Sequence, residues 1–387
     1  MHKIISTIVF SLSLGTMTVP ASAEDPIKIG YIGDFTGVAG ALAEDQYQGF
    51  NLFLEQHDGK LGGFPVKVLK EDSQWKPEVA TQLVEKLIEK EKVPIITGIT
   101  GSNIMMAVHG PITEKKVFLI SSGAGPSPVA GKGCSPYAFY TARQANQISE
   151  VVGRYANGKY KNVMILAANY QAGKDVAAGF KRTFEGTIIE ENYTALTQPD
   201  FSAEIAQIQV AAPDAVFVFF PPALGINFTR QYYQAGLNAT IPLLTTGFLD
   251  DQSLPSLKDA AVGVHVGEFW MSAVDTPASK ALLDAFKKKF NRMPANYVAA
   301  GYDSAVLLDA AIRRVNGNVT DREAFRAALK EGAEGTTRGK LRFNNNNFPI
   351  QSMYVFTAEK NGDDYSMKTV ETFPEQQDSY HQDCPLK

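Results

Sequence analysis

Residues 27–37 read IKIGYIGDFTG, from Ile27 to Gly37, and a stretch of helical composition follows from Ala39 to Gln56. The first six residues are rich in β-branched and aromatic types, which favour a strand, and the glycines that follow mark a turn. A strand, a Gly-rich turn and a helix in this order form the repeating unit of α/β proteins. This stretch therefore predicts an α/β fold.

The same alternation recurs along the 387 residues. Short, continuously apolar runs are typical of parallel strands that are buried on both faces, and amphipathic stretches such as Pro77 to Glu91 separate them. At roughly 150 residues per domain, the length favours two domains. The pattern therefore predicts parallel α/β sheets. Further strands are predicted at 64–69, 93–97, 117–120, 162–166, 215–219 and 353–356, with a turn at 344–347.

Charge and motif content exclude several classes of protein. Lys and Arg number 37 against 41 Asp and Glu, for a net charge of −4, and no basic block predicts a nucleic-acid or membrane-surface partner. No nucleophile elbow, phosphate loop or dinucleotide fingerprint follows a predicted strand. His109 and His265 lie near no evident nucleophile, so we interpret them as structural. We therefore predict a protein that is not an enzyme and uses no metal and no cofactor.

The first 23 residues have the features of a secretory signal peptide. A basic start at Lys3 leads into an apolar run from Ile4 to Val19, and Ala21-Ser22-Ala23 follows. The run has about 16 residues, short of the ~20 that span a bilayer, although an uncleaved anchor is the alternative. We predict cleavage after Ala23 and a soluble mature chain in the periplasm.

Two cysteines, Cys134 and Cys384, make up the whole cysteine content. An oxidising compartment favours a disulfide between them, and two unrelated free thiols are the alternative. Such a bridge would hold a C-terminal tail that could otherwise fray.

Four turns rich in Gly, Ser and Thr follow predicted strands. In open α/β sheets, ligands bind beyond the carboxyl ends of the strands, where helix N-termini present free N–H groups. Small residues are also needed wherever a strand meets a helix, so a single turn would indicate little. Four together favour a ligand site. They are 33–37, 98–103, 121–127 and 245–248.

Five segments occur in the order in which a known family has them. They are 27–33 (IKIGYIG) with Thr36-Gly37, 96–98 (ITG) before Ser102, 119–122 (LISS), 302–305 (YDSA) and 339–343 (GKLRF). With these segments the chain resembles the leucine/isoleucine/valine-binding proteins, type I periplasmic solute-binding proteins of ABC transporters.

The resemblance implies two doubly wound parallel-sheet lobes joined by a hinge of three crossings. One lobe would comprise 24–143 and 272–347, and the other 144–271 and 348–387. The implied protein is a monomer without a cofactor that closes on one small ligand in the interlobe cleft. Its implied partner is the ABC permease in the inner membrane.

The resemblance also implies roles for individual residues. Ser102 takes the place of the serine that binds the ligand carboxylate, and Gly123 the place of a backbone contact to it. Gly125 stands where the family has a threonine, and Ala172 where amino-acid binders have a tyrosine. Gly247 stands where they place a carboxylate for the ligand's ammonium, and a buried ammonium without a counter-charge costs several kcal/mol.

These departures predict a small carboxylate ligand other than an ordinary amino acid, and an aromatic acid such as a benzoate or a phenylpropenoate fits best. Strand alternation assigns Phe217 and Phe219 to the core. The candidate ligand-binding residues are Leu42, Thr100, Gly101, Ser102, Ser122, Gly123, Gly125, Asn169, Tyr170, Ala172, Phe220, Gly247, Phe248 and Tyr297.

Two alternatives stay open at this point. The first is an amino-acid receptor whose ligand ammonium pairs with another acid, Asp250 or Glu268. The second is an extracytoplasmic sensor that feeds a signalling receptor, because one fold serves several functions.

Overall fold

The structure, a computed structural model, describes residues 25–386. The predicted signal peptide and its cleavage site after Ala23 lie outside the described residues. The described chain alternates strands and helices, and it confirms the predicted fold class, with two parallel-sheet lobes.

Of the seven strands that the sequence predicts, six begin and end within three residues of their predicted positions. The described residues form fifteen strands in all. They are β1 (Ile27–Gly33), β2 (Lys60–Leu61), β3 (Phe64–Asp72), β4 (Ile95–Gly98), β5 (Phe118–Ser121), β6 (Ala138–Tyr140), β7 (Asn162–Ala168), β8 (Thr187–Thr194), β9 (Ala215–Phe219), β10 (Leu243–Thr246), β11 (His265–Glu268), β12 (Ala333–Thr336), β13 (Gly339–Phe343), β14 (Pro349–Asn361) and β15 (Asp364–Gln376). The strand predicted at 353–356 is the middle of the much longer β14.

The α-helices lie between most of these strands. They are α1 (Gly40–Gln56), α2 (Pro77–Glu85), α3 (Ser102–Glu114), α4 (Ser127–Ala130), α5 (Gln147–Ala156), α6 (Gln171–Thr183), α7 (Ser202–Ala211), α8 (Pro222–Gln234), α9 (Leu254–Leu257), α10 (Pro277–Phe290), α11 (Asn296–Arg314) and α12 (Arg322–Lys330). The helix predicted from Pro77 to Glu91 ends as α2 at Glu85, and a wider π-helical turn continues it over Lys86–Lys90.

The first lobe is built on a six-stranded sheet in the order β2-β3-β1-β4-β5-β6. β1 lies centrally and pairs in parallel with β3 and β4, with Ile29 opposite Val68 and Ile95. Its side chains alternate between two cores: Ile29 packs on the face that α1 and α11 cover, and Ile32 packs on the face that α2 and α3 cover. Helices on both faces explain why these strands are continuously apolar.

The second lobe is built on a nine-stranded sheet. Its order is β12-β13-β14-β11-β10-β9-β7-β8, and β15 pairs with β14. The strands from β7 to β11 are parallel, whereas β14 joins β11 antiparallel. The carboxyl ends of β7, β9 and β10 therefore lie at one edge, where ligand sites of such sheets form.

The chain crosses between the lobes after β6, after β11 and before β14. Helices α11 and α12 return to the first lobe, where Leu307 and Phe325 join its core. Strands β12 and β13 belong to both lobes, because Leu341 packs in the first core while Arg342 pairs with Ile350 of β14. The boundaries at 143, 271 and 347 stay a proposal.

One arginine ties the hinge together. The guanidinium of Arg338 is buried and pairs with the buried carboxylate of Asp303 at 2.9 Å. It also donates to the carbonyl oxygens of Thr141 and Ala142 in the first crossing and to Gln351 just after the third. Breaking a buried pair of this kind by removing one partner typically costs about 3–5 kcal/mol.

The C-terminal tail lies against the first lobe. Cys134 and Cys384 form the predicted disulfide, with Cα atoms 5.8 Å apart. Asn345 donates to the carbonyl oxygens of His381 (3.0 Å) and Leu386 (2.9 Å), so the tail has other attachments besides the bridge.

Within residues 25–386 no helix combines the length and the apolar character needed to cross a membrane.

Candidate functional site

The main cavity lies between the lobes, beyond the carboxyl ends of the parallel strands, and encloses about 700 Å³, part of it open to solvent. Clefts between domains are common sites for small organic ligands. It is lined by Val38, Ala39, Leu42, Trp75, Thr100, Gly101, Ser102, Gly123, Ala124, Gly125, Arg143, Ala145, Ile148, Tyr170, Ala172, Val176, Phe219, Phe220, Pro221, Pro222, Gly247 and Tyr297.

The first lobe contributes hydrogen-bond donors to the cavity. Ser102 is the first residue of α3, which begins four residues after the end of β4, and it is buried at the cavity wall. Within residues 25–386 the amide N–H groups of Gly123 and Gly125 donate to no other residue. Free amides and the N-terminus of a 13-residue helix together favour an anion, because both present partial positive charge.

Gly125 has a physical reason to be glycine. A β-carbon there would lie 2.4 Å from the carbonyl oxygen of Arg143, in the first hinge crossing. The amide of Ala145 donates to the carbonyl oxygen of Gly125 at 2.8 Å, so this turn is attached directly to the crossing. The anion end and the hinge are therefore one connected piece of backbone.

A buried glutamine holds the two first-lobe turns in place. The amide of Gln46, on α1, donates to the carbonyl oxygen of Gly98 (3.1 Å) and to the hydroxyl of Ser122 (2.6 Å). It also accepts from the hydroxyl of Thr100 at 2.8 Å. Gln46 thus fixes the spacing of the turns that follow β4 and β5, and no motif in the sequence indicates it.

Aromatic rings form the walls. Tyr170 stacks on Phe219 within the second lobe, with ring centres 6.3 Å apart and planes 15° apart. Across the cleft it faces Trp75 of the first lobe, with ring centres 6.4 Å apart. Phe219, assigned to the core by strand alternation, is buried in the second-lobe core and also reaches the cavity wall, because the cleft opens at the end of β9. Phe217 stacks on Phe180 in the core.

Eleven of the fourteen candidate residues line the cavity and three do not. Ser122 is buried behind the wall and bonded to Gln46. Asn169 is exposed at the end of β7. Phe248 points away because its ring packs on Gly225 of α8, and a β-carbon on that glycine would touch the ring at 2.3 Å. For these three the structure contradicts a lining position.

Phe220 lines the cavity, but its ring also packs with Phe201 and Phe228 at 5.0 and 5.5 Å between centres. Alternation along β9 could not predict that both Phe219 and Phe220 reach the wall, since the strand ends between them.

Arg143 is a cation in the wall that the sequence analysis missed. It follows β6 by three residues in the first crossing, and its Nε lies 3.8 Å from Oε1 of Glu268. Its guanidinium sits over the rings of Phe269 and Tyr297, 5.4 and 5.8 Å from their centres. Its position just after β6 could have indicated it, because ligands of open α/β sheets bind beyond the carboxyl ends of the strands.

Glu268 is fully buried at the end of β11. One oxygen, Oε2, accepts from the amide of Phe269 at 3.0 Å, whereas Oε1 has no hydrogen-bond partner within residues 25–386. Burial raises the pKa of this carboxyl above its ordinary value, and the positive charge of Arg143 opposes the rise.

Contacts between the lobes close the cleft. At one side Asp175 of α6 accepts from the amide (3.0 Å) and the hydroxyl (2.6 Å) of Ser127 of α4. At the other side Gln252, with its amide oriented to match its neighbours, donates to Asp45 (2.8 Å) and accepts from Arg292 (3.1 Å). The lobes are thus held together by polar contacts that a hinge motion would break.

No group of three or more His, Cys, Asp or Glu side chains is placed to hold a metal ion in the part of the chain that the structure describes.

Comparison with known proteins agrees with this geometry. A family model described as periplasmic binding protein matches residues 26–363. The Leu/Ile/Val-binding protein homolog 6 of Brucella melitensis is 27% identical over 381 residues, covering 95% of this chain and 97% of that protein.

Among solved structures, a solute-binding protein of an ABC transporter from R. palustris, in complex with benzoate, is similar at a TM-score of 0.87 and 26% identity, covering 94% of this chain and 100% of that one. A second, from Rhodopseudomonas palustris BisB5 in complex with 3,4-dihydroxy benzoic acid, has a TM-score of 0.86 and 29% identity, covering 92% and 99%. The resemblance inferred from the sequence is thereby confirmed, and the chain belongs to the periplasmic binding protein family, among the solute-binding proteins of ABC transporters.

Proposed function

We propose that this protein is the periplasmic receptor of an ABC importer and that it binds a small aromatic carboxylate in the interlobe cavity. The observation that carries the proposal is the pairing of an anion-binding end on the first lobe with aromatic walls that both lobes contribute.

The anion end suits a carboxylate. Ser102 offers a hydroxyl, Gly123 and Gly125 offer free amides, and α3 points its N-terminus at the same place. Hydrogen bonds to a charged group contribute roughly 1.5–3 kcal/mol each, more than neutral ones. Arg143 adds positive charge to the wall, which favours entry of an anion.

The walls suit a flat apolar group. Trp75, Tyr170, Phe219 and Tyr297 surround the cavity from both lobes. Rings in edge or offset contact contribute about 0.5–1.5 kcal/mol beyond the burial of area. The cavity is also widened by Ala172, where amino-acid binders of the family have a tyrosine.

The charges in the wall disfavour an α-amino acid. Gly247 supplies no carboxylate, and the nearby Glu268 is already paired with Arg143. An ammonium placed beside Glu268 would also lie near this guanidinium, and two like charges at such range repel each other.

An amino-acid receptor is nevertheless the second candidate, and one observation favours it. A β-carbon at Gly247 would lie 3.8 Å from Oε1 of Glu268, so this acid reaches close to the position that the missing carboxylate would take. The relatives named Leu/Ile/Val-binding protein are a second reason to test an amino acid beside an aromatic acid.

Delivery to a permease and residence in the periplasm, after removal of residues 1–23, are the rest of the proposal. Family membership and the interlobe contacts at Ser127 and Gln252 support a receptor that closes on its ligand. A sensor for a signalling receptor would share this geometry. A pull-down of the ligand-bound protein with the permease encoded beside its gene separates the two, because only a transport receptor should bind that permease.

Titration calorimetry of the full mature chain with benzoate and with leucine tests the ligand class. We expect benzoate to bind and Ser102→Ala to weaken it by roughly tenfold to a hundredfold, the loss of one charge-assisted hydrogen bond. Ser256→Ala is the matched control, because its hydroxyl bonds only to the backbone of Ser253 outside the cavity. Tight binding of leucine with none of benzoate would overturn the proposal in favour of the second candidate.

A further inference from the structure

Arg143 lies in the cavity wall, and the fully buried carboxylate of Glu268 lies behind it, beside the guanidinium. We propose that this pair recognises a hydroxyl group on the ring of the ligand, so that the natural ligands are hydroxylated aromatic acids. The inference rests on the proposed function and adds to it the chemical group that the pair selects.

The pair is incomplete as it stands. Nε of Arg143 is a donor and Oε1 of Glu268 is an acceptor, and neither forms a well-aligned hydrogen bond within residues 25–386, although the open side-chain amide of Asn296 lies beside the carboxylate. They lie 3.8 Å apart, too far for a direct hydrogen bond. Buried polar atoms nearly always have partners, so a donor and an acceptor left open side by side indicate a third group between them.

The cavity gives access to this pair. Arg143 itself lines the cavity, and so does Gly247, beside Glu268. Gly247 has a φ of 78°, and a β-carbon there would lie 3.6 Å from the ring of Phe219 and 3.8 Å from Oε1. A larger residue would therefore extend toward the carboxylate and the ring of Phe219, whereas glycine leaves that space open.

The surroundings hold the pair in place. The guanidinium of Arg143 lies over the rings of Phe269 and Tyr297, and Oε2 of Glu268 is fixed by the amide of Phe269. Both open atoms therefore keep fixed directions, which is what a specificity-determining site requires.

A hydroxyl is the group that satisfies both atoms. It donates its proton to Oε1 of Glu268 and accepts from Nε of Arg143 through the same oxygen, and an oxygen about 2.8 Å from each fits a 3.8 Å gap. An ammonium only donates and would be repelled by Arg143. A second carboxylate only accepts and would be repelled by Glu268. Because the anion end holds the acid group, the hydroxyl belongs on the ring.

Calorimetry on the unmodified mature chain tests this without any risk to folding. The probes are benzoate, its three monohydroxy isomers and the methoxy analogue of each isomer. We expect one hydroxy isomer to bind about tenfold tighter than benzoate, the effect of one well-placed hydrogen bond. Its methoxy analogue should lose that gain, because an ether oxygen has no proton to donate to Glu268.

The isosteric variant Glu268→Gln then locates the effect. We expect the advantage of the hydroxy isomer over benzoate to shrink to about threefold or less, because a neutral acceptor forms a weaker bond than a charged one. Glu150→Gln is the matched control: Glu150 is also a buried carboxylate paired with an arginine, Arg182 at 3.3 Å, but it does not line the cavity. It should leave the preference unchanged, and a melting curve of both variants reports folding.

The outcomes separate this inference from the proposed function. If benzoate binds and no hydroxy isomer exceeds it by more than about threefold, the inference is wrong, the site holds water, and the proposed function stands. The inference is equally wrong if the methoxy analogue keeps the gain or if Glu268→Gln preserves it in full. If no aromatic acid binds and leucine does, the proposed function itself is wrong.

Discussion

The two sides of the cavity are built from different parts of the chain. On the first lobe the polar groups that face the ligand are backbone amides and one hydroxyl, at Ser102, Gly123 and Gly125, in turns after strands, although Trp75 and Tyr297 also line this side. On the second lobe and at the hinge they are mainly side chains, such as Tyr170, Phe219 and Arg143. Under the proposed function, the first side binds the acid group that the ligands share, and the second distinguishes among them.

This difference suggests that changes on the first lobe should weaken every ligand alike, whereas changes on the second should alter the choice of ligand. Changes that affect only stability should do neither. The five predictions that follow are ordered from the largest expected effect to the smallest.

The disulfide tests stability alone. Replacing Cys134 and Cys384 by serine opens a link across 250 positions, and loop-closure models assign such a link about 5 kcal/mol of the free energy of unfolding. Because Asn345 also holds the tail, the folded structure should persist with its cavity intact. Urea unfolding should show the loss, and calorimetry with benzoate should show unchanged affinity. A large loss of affinity would mean that the tail controls the cleft.

The buried acid Asp250, beside the second-lobe end of the cleft, should make stability depend on pH. Burial raises its pKa to about 7, and the charges of Asp251 and Asp45 add to the rise. Since the folded pKa exceeds the unfolded value, the stabilising effect of the protonated form is lost as pH rises from about 4 to about 7. Three units correspond to at most about 4 kcal/mol.

Asp250→Asn should remove that slope. The amide oxygen can still accept from the backbone amides of Gln252 and Ser253, as the carboxylate does. Urea unfolding from pH 4 to pH 8 should therefore show the free energy of unfolding of the variant rising relative to that of the wild type as pH rises. His109, whose pKa burial lowers to about 4, acts in the opposite direction and is present in both proteins. Parallel curves for the two proteins would show that Asp250 does not titrate in this range.

Ala172 tests the width of the second-lobe wall. Ala172→Tyr places a ring in the space that the ligand's ring would occupy, and we expect affinity for benzoate to fall more than a hundredfold, roughly 3 kcal/mol. Lys174→Tyr, on the same helix but exposed, is the control. Calorimetry with leucine gives a second comparison, because the tyrosine should lower the affinity for the aromatic acid more than the affinity for a smaller amino acid. Undiminished binding of benzoate would place its ring elsewhere.

Gln46 tests the first-lobe side. Gln46→Leu leaves the buried hydroxyls of Thr100 and Ser122 without their partner, and the turns at the anion end should lose their fixed spacing. We expect about a tenfold loss of affinity that is equal for benzoate and for every hydroxy isomer. Gln56→Leu, at the exposed end of the same helix, should change nothing. A loss that differs among the isomers would contradict a role confined to the shared acid group.

How far the sequence could predict these two sides follows from how they are built. The strand-turn-helix units made the fold and the anion end predictable, since the turns at 98–103 and 121–127 carry their function in consecutive residues. Arg143, Trp75 and Phe219 were missed because each reaches the cavity from a different element. Phe248 was misplaced because its direction depends on the space that Gly225 leaves on α8, which lies about 20 positions away in sequence.

The contact between Ser127 and Asp175 tests whether the two sides communicate through closure. The carboxylate of Asp175 accepts hydrogen bonds from the amide and the hydroxyl of Ser127 across the cleft. An asparagine oxygen can also accept, but it carries no charge and forms a weaker bond. Asp175→Asn should therefore make the closed state less favourable and weaken all ligands about threefold to tenfold, mainly through faster dissociation. Asp214→Asn is a close control, because Asp214 also accepts two hydrogen bonds, from the amides of Lys161 and Asn162, but within one lobe. Stopped-flow dissociation rates should rise only for Asp175→Asn. If both variants release benzoate at the wild-type rate, this contact does not contribute to closure. Only changes at the anion end would then be expected to weaken all ligands equally.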